Sequence, residues 1–229
     1  MYSEFLELMN SYITDIGWSI NIQNLSPTIN FFIKDGDDHV GFVTMVFTES
    51  TVPVNSKGIF RSIRTRHSIE KDVPCIYIQY IEVSKSYNGK NIGTFLIWYG
   101  IFYMLTQYPD TQIITLHDDS DRSTNVKNIY NFLGFSFVDE VSLNVGEKTL
   151  NISSPSKILT VERFNSNILT TKKYPVINIE KNYEINLKFI DDWKQIFFSR
   201  GIQPKRKPSR KINRKKTKRK TKLKFRNII

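Results

Sequence analysis

The chain has 229 residues, a formal net charge of +11 and one cysteine, Cys75. This length suits one large domain, alone or with an appendage, and a single cysteine excludes both an intramolecular disulfide and a multi-cysteine zinc site. The longest apolar run, Phe95 to Leu105, has 11 residues, well short of the roughly 20 that a transmembrane helix needs. The N-terminal segment carries glutamates and lacks the layout of a secretory signal. We therefore expect an intracellular protein without a membrane span.

The positive charge is concentrated at the C-terminal end. Residues 201–229 contain 14 lysines and arginines and no acidic residue. The first 200 residues therefore keep 19 of the 33 basic side chains and all 22 acidic ones, a net charge of −3. A block of like charges repels itself and has little apolar surface to bury, so we predict that this basic tail is disordered when unbound.

The first 50 residues predict a helix followed by a β-hairpin. Apolar residues recur at helical spacing between Ser3 and Thr14, and Ser3 is the expected N-cap before an early glutamate. Two runs rich in β-branched and aromatic residues, Thr28–Lys34 and Val40–Phe47, flank a turn cluster of aspartates and a glycine. Residues 50–73 show no clear periodicity, and we interpret them as an excursion of uncertain structure.

The middle of the chain alternates strands and helices. Cys75–Val83 is a near-continuous β-prone run of the kind that lies centrally in a sheet. A polar loop follows, and Ile92–Thr106 is apolar on almost every side, which predicts a buried helix that ends before Pro109. The pattern then predicts a strand at Gln112–His117. A helix at Asp121–Leu133 follows, with Gly134 as its C-cap, and Phe135–Val138 is another strand. Such alternation indicates an α/β architecture.

Beyond residue 140 the pattern is weaker. Ile158–Phe164 alternates like a further strand, whereas Asn186–Phe198 fits either a helix or a strand. This part of the chain therefore predicts one more strand and leaves the last element open.

A possible phosphate site lies at the loop after the central strand. The strand ends at Val83, the loop Ser84–Asn91 contains a glycine, and the buried helix begins at Ile92. A helix that starts this way leaves backbone N–H groups unpaired, and such a place binds phosphate. Because every strand-to-helix junction has a helix N-terminus, this feature alone is weak evidence.

The residues around this loop resemble motif A of the GNAT superfamily of acetyl-CoA-dependent N-acetyltransferases. Val83–Ile97 is similar to its usual form, a strand-ending Val and four residues before Arg/Gln-x-x-Gly-x-Gly/Ala. Asn128–Phe135 resembles the family's second signature, a helix ending in Tyr-x-x-x-Gly-Phe that leads into the next strand. The two motifs are about forty residues apart with one predicted strand between them, which also agrees.

This resemblance implies a fold and a domain organisation. The implied class is α/β (α+β), with a mixed, mostly antiparallel central sheet whose middle strands splay apart and which helices flank. The resemblance covers roughly residues 28–140 and implies a GNAT-like domain over residues 1–164. Residues 165–200 are then an extension of uncertain structure, and residues 201–229 form the basic tail.

The resemblance also implies acetyl-CoA as the acetyl donor, without a metal. The pyrophosphate would lie at the loop and the helix start, and the thioester and pantetheine along the backbone of the central strand. The implied binding residues are Ile81, Val83, Asn88, Gly89, Lys90, Asn91, Ile92, Gly93, Thr94 and Ser123. Asn88 and Asn91 depart from the motif, which has Arg or Gln and a glycine at these positions. Asn tolerates a positive φ better than other non-glycine residues, so Asn91 preserves the loop geometry.

Two residues are candidates for the chemistry. Acetyl transfer to an amine needs a neutral amine, a stabilised oxyanion and a proton for the leaving thiolate. Tyr130 matches the family tyrosine that donates this proton, and the alternative is an aromatic residue that only packs under the sheet. Glu82 is the candidate base, against the alternatives of a merely solvated side chain, a base acting through water, or none. His117, Asp118 and Asp119, at the end of the neighbouring strand, are weaker options.

The tail has several possible partners. Its 14 cations accompany a single aromatic residue, Phe225, which favours phosphate backbones over base reading. Its two basic clusters also fit nuclear targeting, and an acidic protein or anionic lipid is a third alternative. We therefore predict an N-acetyltransferase of an unidentified primary amine that residues 205–226 direct to nucleic acid or the nucleus. The rival hypothesis is a catalytically inactive GNAT-fold protein that binds or packages nucleic acid.

Overall fold

The computed structural model describes residues 1–49, 74–118, 129–137, 141–145, 148–152, 156–170 and 174–200. The strands in these ranges are β1 (Trp18–Leu25), β2 (Thr28–Asp35), β3 (Asp38–Thr48), β4 (Cys75–Val83), β5 (Ile113–His117), β6 (Ser136–Phe137), β7 (Val141–Val145), β8 (Lys148–Ile152) and β9 (Ser156–Thr160). The α-helices are α1 (Tyr2–Asp15), α2 (Ile92–Gln107), α3 (Ile129–Leu133), α4 (Val161–Thr170) and α5 (Tyr183–Ser199).

One mixed sheet organises the described part of the chain. Its seven strands lie in the order β1-β2-β3-β4-β5-β9-β6, while β7 and β8 pair as a separate hairpin. Neighbouring strands pair antiparallel except β4 and β5, which run parallel. Parallel neighbours need a crossover connection, and α2 provides it. The predicted mixed, mostly antiparallel sheet with flanking helices is confirmed.

The main core packs helices α1, α2, α4 and α5 with the sheet. Helix α2 is buried at nearly every position from Phe95 to Leu105, which explains why its sequence has no polar face. Helix α1 turns its apolar stripe inward, and Trp193 of α5 packs on Phe5 of α1 with ring centroids 4.5 Å apart. The buried members of the α1 stripe are those expected from the sequence, Phe5, Leu6, Met9, Tyr12 and Ile13.

Several predicted elements are confirmed with small changes at their ends. The strand expected at Cys75–Val83 is β4, in the middle of the sheet. The hairpin is β2 and β3, and the segment Asn186–Phe198 is helical within α5. The excursion at residues 50–73, the first part of the helix expected from Asp121 and the basic tail lie outside the described residues.

Two predictions were wrong. The strand expected over Ile158–Phe164 ends at Thr160, which pairs with Ile113, the first residue of β5. The chain continues as α4, which buries Phe164 and Ile168 at helical spacing. Ser3 is not the N-cap of α1. The N-cap is Met1, two residues earlier, and it makes no side-chain capping hydrogen bond.

Candidate active site

The central strands separate in the middle of the sheet. Strand β4 continues to Val83, but it pairs with β5 only over Cys75–Ile78. The register between β3 and β4 also shifts at this point, so that Gln79 stands opposite no residue of β3. From Gln79 to Val83, one backbone edge of β4 has no strand beside it among the described residues. An unpaired edge of this kind offers main-chain N–H and C=O groups to an extended ligand.

A helix N-terminus lies directly beyond this edge. Asn91, immediately before α2, has φ 62° and ψ 16°, the left-handed conformation that its residue type predicted. Its side chain makes no capping hydrogen bond, and its carbonyl accepts the N–H of Phe95 at 3.0 Å. Helix geometry therefore leaves the amides from Asn91 to Thr94 without an intrahelical acceptor, and no other acceptor for them occurs among the described residues. These amides and the helix dipole favour an anion.

Gly93, in the first turn of α2, faces a space between β4, α2 and α3 that would admit a Cβ, and we call this space the cleft. A Cβ at this position would lie 3.5 Å from Ile129 Cδ1, 3.7 Å from Ile81 Cδ1 and 3.8 Å from Val83 Cγ2. Strand β4 and helices α2 and α3 thus converge at a residue without a side chain. The residues present fit the expected cofactor, because an open amide cluster, a free strand edge and a glycine gap adjoin one another.

Tyr130 lies on α3, next to the residue that borders this cleft. Its ring is half-buried and meets the Phe135 ring edge-on, with centroids 6.2 Å apart. Its carbonyl accepts the N–H of Phe135 at 3.0 Å, and Gly134 between them has φ 99°. Only glycine adopts this backbone conformation readily. The Tyr-x-x-x-Gly-Phe signature therefore corresponds to the C-cap of α3.

A buried ion pair that the sequence did not reveal lies beside Tyr130. Lys157 Nζ is 2.7 Å from Asp118 Oδ2, and the two side chains are 0 % and 1 % exposed. Lys157 also donates a hydrogen bond to Asn131 Oδ1 at 3.0 Å, and its Nζ lies 5.4 Å from the centroid of the Tyr130 ring. The available signal was a lysine directly before the apolar residues Ile158 and Leu159 of β9. Asp118 thus forms an ion pair with Lys157 and is not placed as a base.

Glu82 is directed away from the cleft. Side chains alternate along a strand, so Glu82 lies on the sheet face opposite to Ile81 and Val83. It is exposed, and it accepts a hydrogen bond from the Tyr80 hydroxyl at 3.1 Å. This bond raises the pKa of Tyr80. The described residues show no contact between Glu82 and Tyr130, so the role of Glu82 as a base stays a prediction.

The remaining residues of the loop before α2 are Asn88, Gly89 and Lys90, whose contact with a cofactor stays a prediction. The N–H of Asn88 bonds the carbonyl of Lys85 at 3.3 Å, and Gly89 has φ 79° with open space where a Cβ would stand. The carbonyl of Lys90 accepts the N–H of Asn178 at 2.9 Å, a contact with the C-terminal segment that the sequence did not predict. Ser123 lies outside the described residues.

Cys75, the single cysteine, is buried at the start of β4. Burial raises the pKa of the Cys75 thiol to about 12, so this thiol remains protonated at neutral pH and is unsuited to act as a nucleophile. The described residues contain no group of three or more His, Cys, Asp or Glu side chains that could hold a metal ion. In the same part of the chain, no helix combines the length and apolar character of a membrane span.

Comparisons with known proteins show the family of this chain. The family model of the acetyltransferase (GNAT) family matches residues 3–135. Among solved structures, Arabidopsis thaliana NAA60 in complex with acetyl-CoA is 17 % identical with a TM-score of 0.43, over 69 % of this chain and 93 % of that one. AtaT complexed with acetyl-methionyl-tRNAfMet is 12 % identical with a TM-score of 0.40, over 61 % and 74 % of the two chains.

An agmatine N-acetyltransferase mutant is 13 % identical with a TM-score of 0.37, over 57 % of this chain and 75 % of that one. A search of curated proteins found no match. The assignment depends on the family model, which spans more than half of the chain and includes both the loop before α2 and the Tyr-x-x-x-Gly-Phe signature. The chain therefore belongs to the acetyltransferase (GNAT) family.

Proposed function

We propose that this protein is an acetyl-CoA-dependent N-acetyltransferase that transfers an acetyl group to a primary amine. One observation carries the proposal: the free edge of β4, the open amides of α2 and the cleft at Gly93 adjoin one another. An extended ligand with a pyrophosphate at one end needs this combination of groups. Family membership makes acetyl-CoA the expected ligand.

Backbone groups bind the cofactor in this proposal. Bound acetyl-CoA supplies an activated acetyl group as a thioester. The open N–H groups of residues 91–94 surround the pyrophosphate, with Asn88, Gly89 and Lys90 forming the loop beside it, and the left-handed conformation of Asn91 aims the first amides of α2 at it. Ile81 and Val83 hold the pantetheine arm through the main chain of β4, beyond the point where β5 diverges. Ser123 is proposed as a further contact to this arm.

Tyr130 and Glu82 move the protons. A phenol has a pKa of about 10, which suits donation to a leaving thiolate of similar basicity. Tyr130 therefore holds a proton at its hydroxyl until the thiolate departs. Glu82 is exposed and belongs to the part of β4 that does not pair with β5. Because its side chain lies on the sheet face opposite to Ile81 and Val83, we propose that it removes the proton of the acceptor amine through water.

The basic tail is proposed to bind polyanions without sequence specificity. Residues 205–226 carry all 14 positive charges of the segment beyond residue 200, and the rest of the chain has a net charge of −3. Lysine and arginine bind phosphate backbones by displacing counterions. The tail would place the enzyme near nucleic acid, or act as a nuclear targeting signal. The catalytically inactive rival shares this tail and differs in needing no acetyl-CoA.

Thermal unfolding with acetyl-CoA tests the proposal. A ligand present at 100 times its dissociation constant stabilises the folded state by about 2.7 kcal/mol. We expect acetyl-CoA to raise the melting temperature, and thiol release to increase when spermidine, a peptide with a free N-terminal amine or a lysine-containing peptide is added. An unchanged melting temperature at millimolar acetyl-CoA, without thiol release, would overturn the proposal and favour the nucleic-acid-binding rival.

A further inference from the structure

Lys157 is a fully buried lysine beside the proposed proton donor. It lies on β9, opposite Leu116 of β5 and Phe137 of β6, and its side chain is 0 % exposed. Burying an ammonium group is unfavourable unless charges and hydrogen bonds compensate for the lost water. An apolar pair of similar volume often makes a protein at least as stable as a buried ion pair does. Stability alone therefore does not explain the Lys157–Asp118 pair.

The ammonium group of Lys157 connects three elements. It is 2.7 Å from the carboxylate of Asp118, which directly follows β5, and 3.0 Å from Asn131 Oδ1 on α3. It also lies 5.4 Å from the ring centroid of Tyr130, within the range of a cation–π contact. Tyr130 and Asn131 are consecutive residues, so one ammonium group contacts neighbouring side chains of α3.

Contacts with other elements hold the described part of α3 at both of its ends. Leu133 anchors its C-terminal end, and Asn167 of α4 donates a hydrogen bond to the Leu133 carbonyl at 3.1 Å. At the other end of the described part of α3, Lys157 contacts Tyr130 and Asn131.

We propose that Lys157 is a positioning residue that holds Tyr130 in the orientation needed for proton donation, with Asp118 as its counter-ion. This inference rests on the proposed role of Tyr130. During donation the O–H bond of Tyr130 breaks as an S–H bond forms on the leaving thiolate, and the negative charge passes to the phenolate. The ammonium group of Lys157 faces that ring at 5.4 Å, and its positive charge attracts the negative charge that develops there.

The pair Lys157→Met and Asp118→Asn, made together, tests the proposal without leaving an unpaired buried charge. We expect this double variant to fold and to bind acetyl-CoA within about threefold of wild type, while kcat falls about tenfold or more. Lys194→Met is the matched control, because it removes an exposed lysine 3.2 Å from Asp191 and should leave kcat unchanged. A folded double variant with wild-type kcat would overturn the proposal.

A mutant cycle separates positioning from general weakening of the fold. In a Tyr130→Phe background the same double replacement should cause no further loss of kcat, because Lys157 acts through the Tyr130 hydroxyl. Equal fold-losses in the two backgrounds would show that Lys157 acts elsewhere. If the double variant does not fold, Lys157→Gln combined with Asp118→Asn replaces it, since glutamine keeps a hydrogen-bond donor, lacks the charge and leaves no buried carboxylate unpaired.

A spectroscopic readout is independent of turnover. With 3-fluorotyrosine at position 130, the fluorine resonance should shift in the variant that lacks Lys157, whose ammonium group lies over this ring, and stay in place in Lys194→Met. A protein that binds no acetyl-CoA and transfers no acetyl group would disprove the proposed function. An unchanged fluorine resonance in the folded variant would instead disprove the positioning role of Lys157.

Discussion

At the scale of single residues, Tyr130 carries the proposed proton transfer. Tyr130→Phe retains the ring that packs against Phe135 and removes only the hydroxyl. We expect turnover to fall on the order of 10²-fold or more, with acetyl-CoA affinity close to wild type, in thiol-release and calorimetric assays. Tyr103→Phe, which changes another half-buried tyrosine, serves as the control and should keep full turnover. Equal turnover in wild type and Tyr130→Phe would leave Tyr130 as a packing residue.

Cys75 gives a prediction about pH. Burial raises the pKa of its thiol from an ordinary value of 9.0 to about 12, so the folded state retains a proton that the unfolded chain releases. Stability from this group is complete below pH 9 and is lost as the pH rises toward 12. Between pH 8 and pH 10.5, urea unfolding should show wild type losing about 2 kcal/mol more than Cys75→Val, which has no thiol. Parallel losses in the two proteins would contradict this prediction.

Individual residues differ in how far the sequence determines their role. The left-handed conformation of Asn91 was predictable, because a motif glycine position combined with an Asn restricts the backbone locally. The pairing of Lys157 with Asp118 was not predictable, because it requires β5 and β9 to be neighbours in the sheet. The outward direction of Glu82 follows from alternation, but which face holds the cleft depends on the packing of α2 against β4.

At the scale of secondary-structure elements, α5 is part of the core. Trp193 is 0 % exposed, and its ring contacts Phe5, Phe102 and Phe197. Trp193→Ala should lower the free energy of unfolding by about 3–5 kcal/mol, because it leaves a large cavity between α1, α2 and α5. Phe198→Ala, at a ring that is 58 % exposed on the same helix, should have a much smaller effect in the same urea titration. Comparable losses at the two positions would show that α5 does not pack against α1 as described.

The length and surroundings of an element determine whether its sequence reveals it. Strand β4 and helix α2 are buried on almost all sides, so their continuous apolar runs were clear. Strand β1 was not predicted, because it lies at the sheet edge and is exposed at most positions, which removes the apolar alternation. The sequence of α5 fitted either a helix or a strand, because the helix packs against α1, which lies far away in the sequence. The ring centroids of Tyr12 in α1 and Phe189 in α5 are 4.6 Å apart.

At the scale of the whole molecule, the charge distribution separates the body from the tail. Deletion of residues 205–229 removes all 14 basic residues beyond residue 200 and leaves a net charge of −3. Full-length protein should bind DNA and RNA alike, with affinity that falls steeply as salt rises, and the deleted form should bind neither in filter assays at two salt concentrations. Acetylation of a small amine should continue at the full-length rate. Retention of nucleic acid by the truncated body would contradict this division.

The overall architecture was largely predictable because two motifs stand in a fixed order along the chain. The loop before α2 and the Tyr-x-x-x-Gly-Phe signature bracket β5, and the sheet places β4 and β5 side by side as parallel strands. The attachment of the C-terminal segment to the loop, through Asn178 and Lys90, was not predictable, since it joins positions far apart in sequence. The acceptor has no such local signature, so its identity requires the amine assays.

Titration calorimetry with acetyl-CoA on wild type, Gly93→Ala and Gly93→Val tests the proposed site most directly. A Cβ at Gly93 would make only ordinary contacts, at 3.5–3.8 Å, so the alanine variant should bind within about threefold of wild type. The two methyl groups of valine would enter the cleft between Ile81 and Ile129, and we expect affinity at least about tenfold weaker in a variant that still unfolds cooperatively. Absence of binding by wild type, or wild-type affinity in a folded Gly93→Val protein, would show that acetyl-CoA does not occupy this cleft.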